Sequence, residues 1–273
     1  MKKLLFAVIV CAILSSCSKD ESTQDASSSS LFVKSIEFGH VSSSGDDRSV
    51  CYDIIYDEKG CVKQYVEYWS ALSDNYVKYD FSYSGNAMTI VEKRSTSTGD
   101  ATTYNIQLND KGYASKVEWH WVADGPHQMD YVCEITYDNN GYIKSIMEEE
   151  YRDGLYDGEC YYQYVWENGN LITSHYSDLG LEEYEEDYRY TQYENNLNID
   201  VNNLIECYDN PTDLLSILGA FNFLGNKSKN LVKDNGWQKY TYHFDENDIL
   251  TLVKFMSEPG YPQYGVDYRR FKY

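Results

Sequence analysis

One pattern recurs along most of this chain and limits the folds open to it: an aromatic-rich strand, a tight polar turn, then a strand that opens with an apolar residue. The clearest copy is 133–137 (CEITY), followed by 138–141 (DNNG) and 142–143 (YI). The residues before the turns are 25 to 29 apart and stand at positions 56, 83, 108, 137, 166 and 193. That spacing holds two strands, one tight turn and one looser loop, so it predicts an array of β-hairpins.

The turns have the residue types that hairpins need. Most begin with Asp or Asn and several end with Gly, as in 57–60 (DEKG) and 109–112 (NDKG). An Asx side chain caps such a turn, and Gly accepts a positive φ without steric cost. The alternative is calcium ligation by Asp57, Asp138 and Asp245, but these turns lack the ligand ladder and closing Glu of an EF-hand. We therefore expect hairpin turns.

These signals indicate about 14 strands, too many for a flat sheet. We expect an all-β fold: an antiparallel up-and-down meander of hairpin repeats, curled or closed as a water-soluble barrel-like sheet. One insertion near 199–225 interrupts the repeat. Within it, 211–219 (PTDLLSILG) is typical of a short helix with an acidic first turn and a Gly stop. Its apolar residues suit a plug or cap, and we favour core packing over ligand binding for them.

Tyrosine is the outlier of the composition, with 29 residues among 273, against 9 Phe. Tyr suits strands whose faces are both partly wet, because its ring packs while its hydroxyl reaches water. We therefore expect the Tyr hydroxyls to reach solvent.

Charge excludes one class of partner. The chain has 44 acidic and 23 basic residues, a formal net charge of −21. Because phosphate binding needs a Lys/Arg surplus, nucleic acid is excluded and anionic lipid headgroups are disfavoured. With 42% hydrophobic and 25% charged residues, the composition is that of a folded protein.

The N-terminus predicts a lipid-anchored protein. A basic start is followed by an apolar run at 4–14, and 14–17 (LSSC) looks like a bacterial lipobox, in which the Cys thiol is lipidated. We expect a lipoprotein signal peptide at 1–16, lipidation at Cys17, a flexible tether at 17–30 and a single β-meander domain at 31–273. An ordinary signal peptide with an incidental Cys is the alternative. Without 1–16, the charge becomes 21 − 44 = −23.

The residues after Cys17 bear on where the anchor leads. The stretch 18–21 (SKDE) is similar to the surface-export signal of Bacteroidetes lipoproteins, although a polar linker has the same composition. We expect an outer-membrane lipoprotein exposed at the cell surface, with a periplasm-facing position as the alternative.

The spacing of the cysteines predicts neither a disulfide pairing nor a metal site. Removing Cys11 with the signal and Cys17 with the lipid leaves an odd number, Cys51, Cys61, Cys133, Cys160 and Cys207. We expect Cys61 opposite Tyr56 and Cys51 opposite Val66, which disfavours a Cys51–Cys61 disulfide. We expect most of the five to be small buried hydrophobes, and no spacing suggests zinc.

Several segments carry a resemblance to a known family. With the lipobox and the Tyr-Asp-x-x-Gly turns at 56–60 and 137–141, they are 199–204 (IDVNNL), 224–231 (LGNKSKNL) and 240–245 (YTYHFD). On these, 31–273 resembles an uncharacterised family of Bacteroidetes lipoproteins with a porin-like fold, and more weakly the YD-repeat hairpins of bacterial surface shells. The resemblance implies a fold and no activity.

A porin-like fold does not by itself imply a pore. The acidic runs at 148–150 and 182–187 put charge on both faces of a strand, where a membrane barrel needs an apolar band. The aromatic C-terminus at 271–273 (FKY) resembles that of an outer-membrane barrel, but a plain last strand is the simpler interpretation.

No motif for catalysis or cofactor binding is present: the sequence has no Gly-rich phosphate loop, nucleophile elbow or HExxH. We therefore expect no enzymatic activity, no cofactor and no metal. His120 and His127, with Glu118 nearby, are the best metal candidates, and we favour exposed strand and loop histidines instead.

Trp119 and Trp121 are the candidate ligand platform, because they share a strand face with His120 pointing the other way. Flat indole rings beside acid and amide groups stack sugar rings. Packing of both rings into the sheet face is the alternative, and two buried rings would exclude a platform.

Three classes of function remain. The first is a non-enzymatic cell-envelope lipoprotein that binds a glycan or an envelope protein partner. The second is a structural or assembly lipoprotein whose edge strands recruit partners. The third is a glycan-active hydrolase, because 44 acids always include carboxylate pairs at a suitable separation.

Overall fold

A computed structural model describes residues 32–41, 47–68, 75–96, 101–122, 128–178, 182–205, 213–257 and 266–273. The predicted signal peptide, Cys17 and the tether lie outside these residues, as does Cys207. No helix in the described ranges is long and apolar enough to cross a membrane.

Antiparallel strands make up most of the described chain and form one sheet. The strands are β1 (Ser35–Val41), β2 (Asp47–Tyr56), β3 (Val62–Tyr68), β4 (Tyr76–Ser84), β5 (Ala87–Arg94), β6 (Thr102–Leu108), β7 (Ala114–Val122), β8 (Gln128–Tyr137), β9 (Ile143–Arg152), β10 (Leu155–Glu167), β11 (Asn170–Asp178), β12 (Glu182–Asp187), β13 (Arg189–Glu194), β14 (Asn230–Asp234), β15 (Gln238–Phe244), β16 (Leu250–Ser257) and β17 (Val266–Lys272).

The sheet closes on itself because β1 pairs with both β2 and β17. An antiparallel meander closes in antiparallel register only with an even number of strands, yet seventeen are present. Only Tyr188 separates β12 from β13. β12 pairs with β11 on one side and β13 pairs with β14 on the other, so the effective number of strands is even. These two segments count as one bent strand. The predicted meander, curled towards a barrel, is confirmed.

Alternation places the core inside the barrel. In β5 the buried residues are Met88, Ile90 and Glu92, and the intervening positions are more exposed. The same alternation brings large apolar side chains from most strands into one interior cluster, among them Ile36, Ile54, Ile106, Val117 and Ile146. Lys93 and Glu134, at outward positions, are exposed.

Six tight hairpin turns of the described chain follow β2, β4, β6, β8, β10 and β15 and share one end of the barrel, called here the turn end. As expected, Asx side chains cap them: Asp138 Oδ1 accepts from the backbone N–H of Asn140 and Tyr142, both at 2.9 Å. Asp57 and Asp245 do the same in their turns. These carboxylates thus accept hydrogen bonds from the backbone of their own turns.

The expected hairpin register is wrong by one residue at Tyr56 and by two residues at Cys51. Tyr56 pairs with Val62 rather than Cys61, and Cys51 pairs with Tyr68, because a β-bulge shifts the register between Ile55 and Tyr56. Cys61 is disulfide-bonded, and not merely a small hydrophobe as expected for most cysteines. Among the described cysteines, Cys133 and Cys160 are free.

The bulges give four of the tyrosines and one tryptophan a structural role. The carbonyl at each bulge accepts a hydrogen bond from the aromatic residue that precedes the next turn: Tyr83 donates to Val62, Tyr137 to Ala114, and Trp166 Nε1 to Ile143. Tyr190 donates to Leu171 and Tyr273 to Leu250 in the same way. These four tyrosine hydroxyls donate to backbone carbonyls, which for them corrects the expectation that Tyr hydroxyls point to solvent.

The insertion near 199–225 closes the turn end as a plug. It contains two short helices, α1 (Val201–Leu204) and α2 (Asp213–Ala220), where one was expected. Phe221 packs edge-on against Tyr65 and Phe81 of the barrel wall. Leu215 and Leu218 are fully buried, so the expected core role of the apolar residues is observed.

Candidate functional site

The inner wall at the end opposite the plug, called here the mouth, carries the aromatic residues that the sequence singled out. Because strands alternate, β5 to β9 direct a set of acidic and aromatic side chains inward at this end. This mouth cluster consists of Glu92, Tyr104, Trp119, Trp121, Tyr131 and Glu150.

Register brings three aromatic rings of the mouth cluster into one ladder. Trp119 lies opposite Tyr104 on one side and Tyr131 on the other. Its ring stacks on Tyr131 with 4.8 Å between centroids and 7° between planes, and it meets Tyr104 at 5.9 Å. Cross-strand aromatic pairs of this kind fix ring orientation and stabilise the sheet.

Trp121 is the open member of the cluster. It lies two residues beyond Trp119 on the same face, and its side chain is 48% exposed, while Trp119 is partly buried. The condition that would exclude a platform, burial of both rings, is therefore not met. Trp119 and Trp121 remain a predicted platform, with Trp121 as the accessible ring.

Glu92 is buried and held in place by its neighbours. Its carboxylate accepts from Tyr104 Oη at 2.6 Å and pairs with Arg94 Nε at 2.6 Å. Burial, reinforced by the bond to Glu92, raises the pKa of Tyr104 far above its ordinary value. Because both Glu92 oxygens already accept bonds, this network orients the Tyr104 ring rather than offering a free catalytic acid.

A second acidic group continues the wall next to the ladder. Burial, with Glu150 and Glu148 nearby, raises the pKa of Tyr131. Burial likewise raises the pKa of Glu148, whose carboxylate accepts from Cys133 Sγ at 3.4 Å. The pKa of the Cys133 thiol is itself raised strongly by burial, so this cysteine is an unreactive thiol. The mouth is thus lined by carboxylates as well as rings.

The histidine candidates are not brought together as a metal site. His120 Nδ1 lies 2.7 Å from Asp130 Oδ1 across the β7–β8 pair, and His127 lies outside the described residues. Within the described ranges, no three His, Cys, Asp or Glu side chains are grouped to hold a metal ion. His120 is exposed on its strand, as expected.

Sequence reasoning found two of the six mouth residues. Tyr104, Tyr131, Glu92 and Glu150 were missed because they join Trp119 only through strand pairing, which a single strand does not reveal. Alternation within 128–137 and 87–94 gives each side chain's face, but not its partner across the sheet.

The fold is that of porin-like proteins. A porin-like protein from Bacteroides uniformis aligns with a TM-score of 0.63 at 17% sequence identity, covering 89% of this chain and 98% of that protein. One from Bacteroides vulgatus aligns with a TM-score of 0.59 at 11% identity, covering 89% and 99%. No protein-family model and no curated protein matches the chain. The expected porin-like fold is confirmed, and membership of a lipoprotein family stays a prediction.

Proposed function

We propose that this protein is a non-enzymatic lipoprotein of the outer membrane, exposed at the cell surface, that binds a neutral glycan at the mouth cluster. The observation that carries the proposal is Trp121, a half-exposed indole next to a stacked ladder of rings and carboxylates.

Sugar rings offer apolar C–H faces and polar hydroxyl edges, and the mouth cluster matches both. Trp121 supplies an open ring face, and the Trp119–Tyr131 stack stiffens the wall behind it. Glu150 supplies a carboxylate that accepts hydrogen bonds from sugar hydroxyls. Because carboxylates line the mouth, acidic sugars would be repelled there, so the proposed ligand is uncharged.

The position of the chain's start in the barrel supports an outward-facing mouth. Tyr56 Oη donates to the carbonyl of Val33, and Lys34 N–H donates to the carbonyl of Lys272, so β1 begins at the turn end. A lipid on Cys17 would then hold the turn end towards the membrane and leave the mouth at the far end, about 30 Å away along ten-residue strands.

Substitution of the open indole tests the proposal. Purified protein would be titrated calorimetrically with neutral β-glucan, xylan and mannan oligosaccharides. We expect Trp121→Ala to weaken binding about tenfold or more, because the stacking surface is lost. Trp237→Ala is the matched control: Trp237 is 69% exposed on the β14–β15 connection, and its removal should leave the affinity unchanged.

Two results would contradict glycan binding at the mouth. One is that no neutral oligosaccharide binds. The other is that Trp121→Ala and Trp237→Ala reduce the affinity equally, which would indicate nonspecific stacking on exposed indoles.

A protein partner is the second candidate, favoured by the tip of the β9–β10 hairpin. Leu155 is 74% exposed and Tyr156 52% exposed, next to a two-residue turn with positive φ at Asp153 and Gly154. Neighbouring exposed apolar side chains are a feature of protein–protein interaction sites. Crosslinking from this tip in whole cells, with no product, would remove this candidate.

A further inference from the structure

A second concave site lies at the turn end, on the opposite side of the barrel from the mouth. It is a cleft of about 470 Å³ between hairpin turns and the last part of the plug. The residues on which its chemistry depends are Tyr113, Tyr142, Asn168, Asn226, Lys227 and Lys229.

One wall of the cleft is fixed by internal hydrogen bonds. Tyr113 Oη donates to Asn226 Oδ1 at 2.8 Å, and Asn226 Nδ2 donates to the carbonyl of Asn140 at 2.8 Å. Lys227 Nζ binds the carbonyls of Leu197 and Ile199. Because these groups are already held, a ligand would meet a pre-formed surface and lose little free energy in ordering it.

The other wall has polar groups ready to bind. Within the described part of the chain, neither the Tyr142 hydroxyl, the Asn168 amide nor the Lys229 ammonium makes a hydrogen bond. The backbone positions all three: Tyr142 N–H binds Asp138, Lys229 N–H binds the Gly169 carbonyl at 2.8 Å, and Asn168 stands in the β10–β11 turn with a positive φ. Gly169 has φ +81°, and a side chain at this position would lie between the Tyr142 hydroxyl and Lys229. Glycine therefore keeps the space between these two residues open.

The charge of the cleft is opposite to that of the protein. The chain carries −21, yet among the described residues the cleft is lined by two lysines and no carboxylate. Lys227 is bound to backbone carbonyls and interacts with the buried carboxylate of Asp200, so Lys229 supplies the charge proposed to meet a ligand. An ammonium with free donors on a concave aromatic surface favours an anionic group. The Tyr142 ring beside it favours an apolar face on the same ligand.

We propose that the turn-end cleft binds an acidic sugar residue, one with a ring carboxylate. The carboxylate pairs with Lys229, the sugar hydroxyls bind the Asn168 amide and the Tyr142 hydroxyl, and the apolar ring face lies against Tyr142. This site shares no residue with the mouth cluster and takes the opposite class of glycan, so it goes beyond the proposed function.

A pair of probes that differ in whether their carboxyls are ionised or methyl-esterified tests this proposal. Purified protein would be titrated with trigalacturonic acid and with its fully methyl-esterified form. We expect the acid to bind the wild type about tenfold more tightly than the ester, as one charge-assisted hydrogen bond would give. Lys229→Gln should reduce the affinity for the acid by the same factor, and Asn168→Ala should also weaken it.

Two controls keep the result specific. Lys254→Gln removes an exposed lysine from β16 and should leave the affinity for the acid unchanged. Trp121→Ala should also leave it unchanged, so failure of the mouth proposal and failure of this one are separable. Thermal unfolding of Lys229→Gln should match the wild type, because the side chain is exposed.

Three results would overturn the cleft as an acidic-sugar site: no binding of the acid, equal binding of acid and ester, or Lys229→Gln and Lys254→Gln with the same effect.

Discussion

Glu148 shows how a single carboxyl in the interior makes stability depend on pH. It faces inward between Cys133 and Cys160, which lie opposite it on β8 and β10, with Glu150 two residues along. Burial raises its pKa, the Cys133 thiol opposes that rise, and Glu150 adds to it. The folded protein therefore binds this proton more tightly than the unfolded chain does.

The sign of the effect follows from that difference. The contribution of Glu148 to stability is fully present below the ordinary pKa of Glu and is lost as pH rises through its raised folded pKa. We expect Glu148→Gln, which stays neutral, to match the wild type near pH 4 and to be the more stable protein at pH 8. Urea unfolding across this range measures the difference.

The matched control for this prediction is Glu134→Gln, which changes an exposed carboxylate on the outer face of β8. The difference in the free energy of unfolding between Glu134→Gln and the wild type should not grow with pH in this way. A constant difference between Glu148→Gln and the wild type at every pH would contradict a role for burial.

At the scale of the hairpin, the aromatic residue that precedes a turn donates a hydrogen bond to the bulge of the preceding hairpin. Tyr137 donates to the Ala114 carbonyl at 2.6 Å, and its pKa is raised strongly by burial. We expect Tyr137→Phe to lower the free energy of unfolding by about 1–2 kcal/mol, because a buried carbonyl loses its donor. Tyr193→Phe, which removes an exposed hydroxyl, should cost less than about 0.5 kcal/mol.

Urea denaturation of the two variants measures this prediction. Equal losses in Tyr137→Phe and Tyr193→Phe would show that the bulge carbonyl does not depend on its aromatic donor.

The hairpins were predictable and their bulges were not. Asx-Gly turns and the 25-to-29-residue period are local signals, so the sequence indicated both. Leu108 occupies the pre-turn position of its repeat, but its side chain has no hydrogen-bond donor. It follows the β4–β5 hairpin, whose pairing has no register shift, so no bulge carbonyl is there to bind. That difference depends on pairing between hairpins, which period alone does not encode.

The same limit explains the error at Tyr193, where the sequence predicts another hairpin turn in the residues that follow. The chain leaves β13 at Glu194 and enters the plug, where Asn195 binds Asp200 and the N–H of Val201. A polar Asx-rich segment suits a turn and a helix cap equally well. Only the burial of Asp200 and Asn195, which a tertiary contact provides, separates the two.

For the whole molecule, closure of the barrel determines which elements lie at each of its two ends. Because the β12–β13 strand counts once, the tight turns after β2, β4, β6, β8, β10 and β15, the plug and the start of β1 share the turn end, and the β9–β10 turn lies at the mouth. The mouth cluster and the turn-end cleft therefore open at opposite ends, and one molecule can present a carboxylate-lined and a lysine-lined surface without either field cancelling the other over about 30 Å.

Anchoring through Cys17 would set the direction of both ends relative to the membrane. A flexible tether at 18–30, as the sequence predicts, would reach about 20 Å as a random coil, enough to keep an acidic barrel off anionic headgroups. We expect Cys17→Ser to move the protein from the membrane fraction to the soluble fraction, because the lipid and not charge holds it. Cys11→Ser, in the apolar part of the predicted signal, should stay with membranes. Retention of Cys17→Ser in the membrane fraction would contradict lipidation and, with it, the orientation of the mouth.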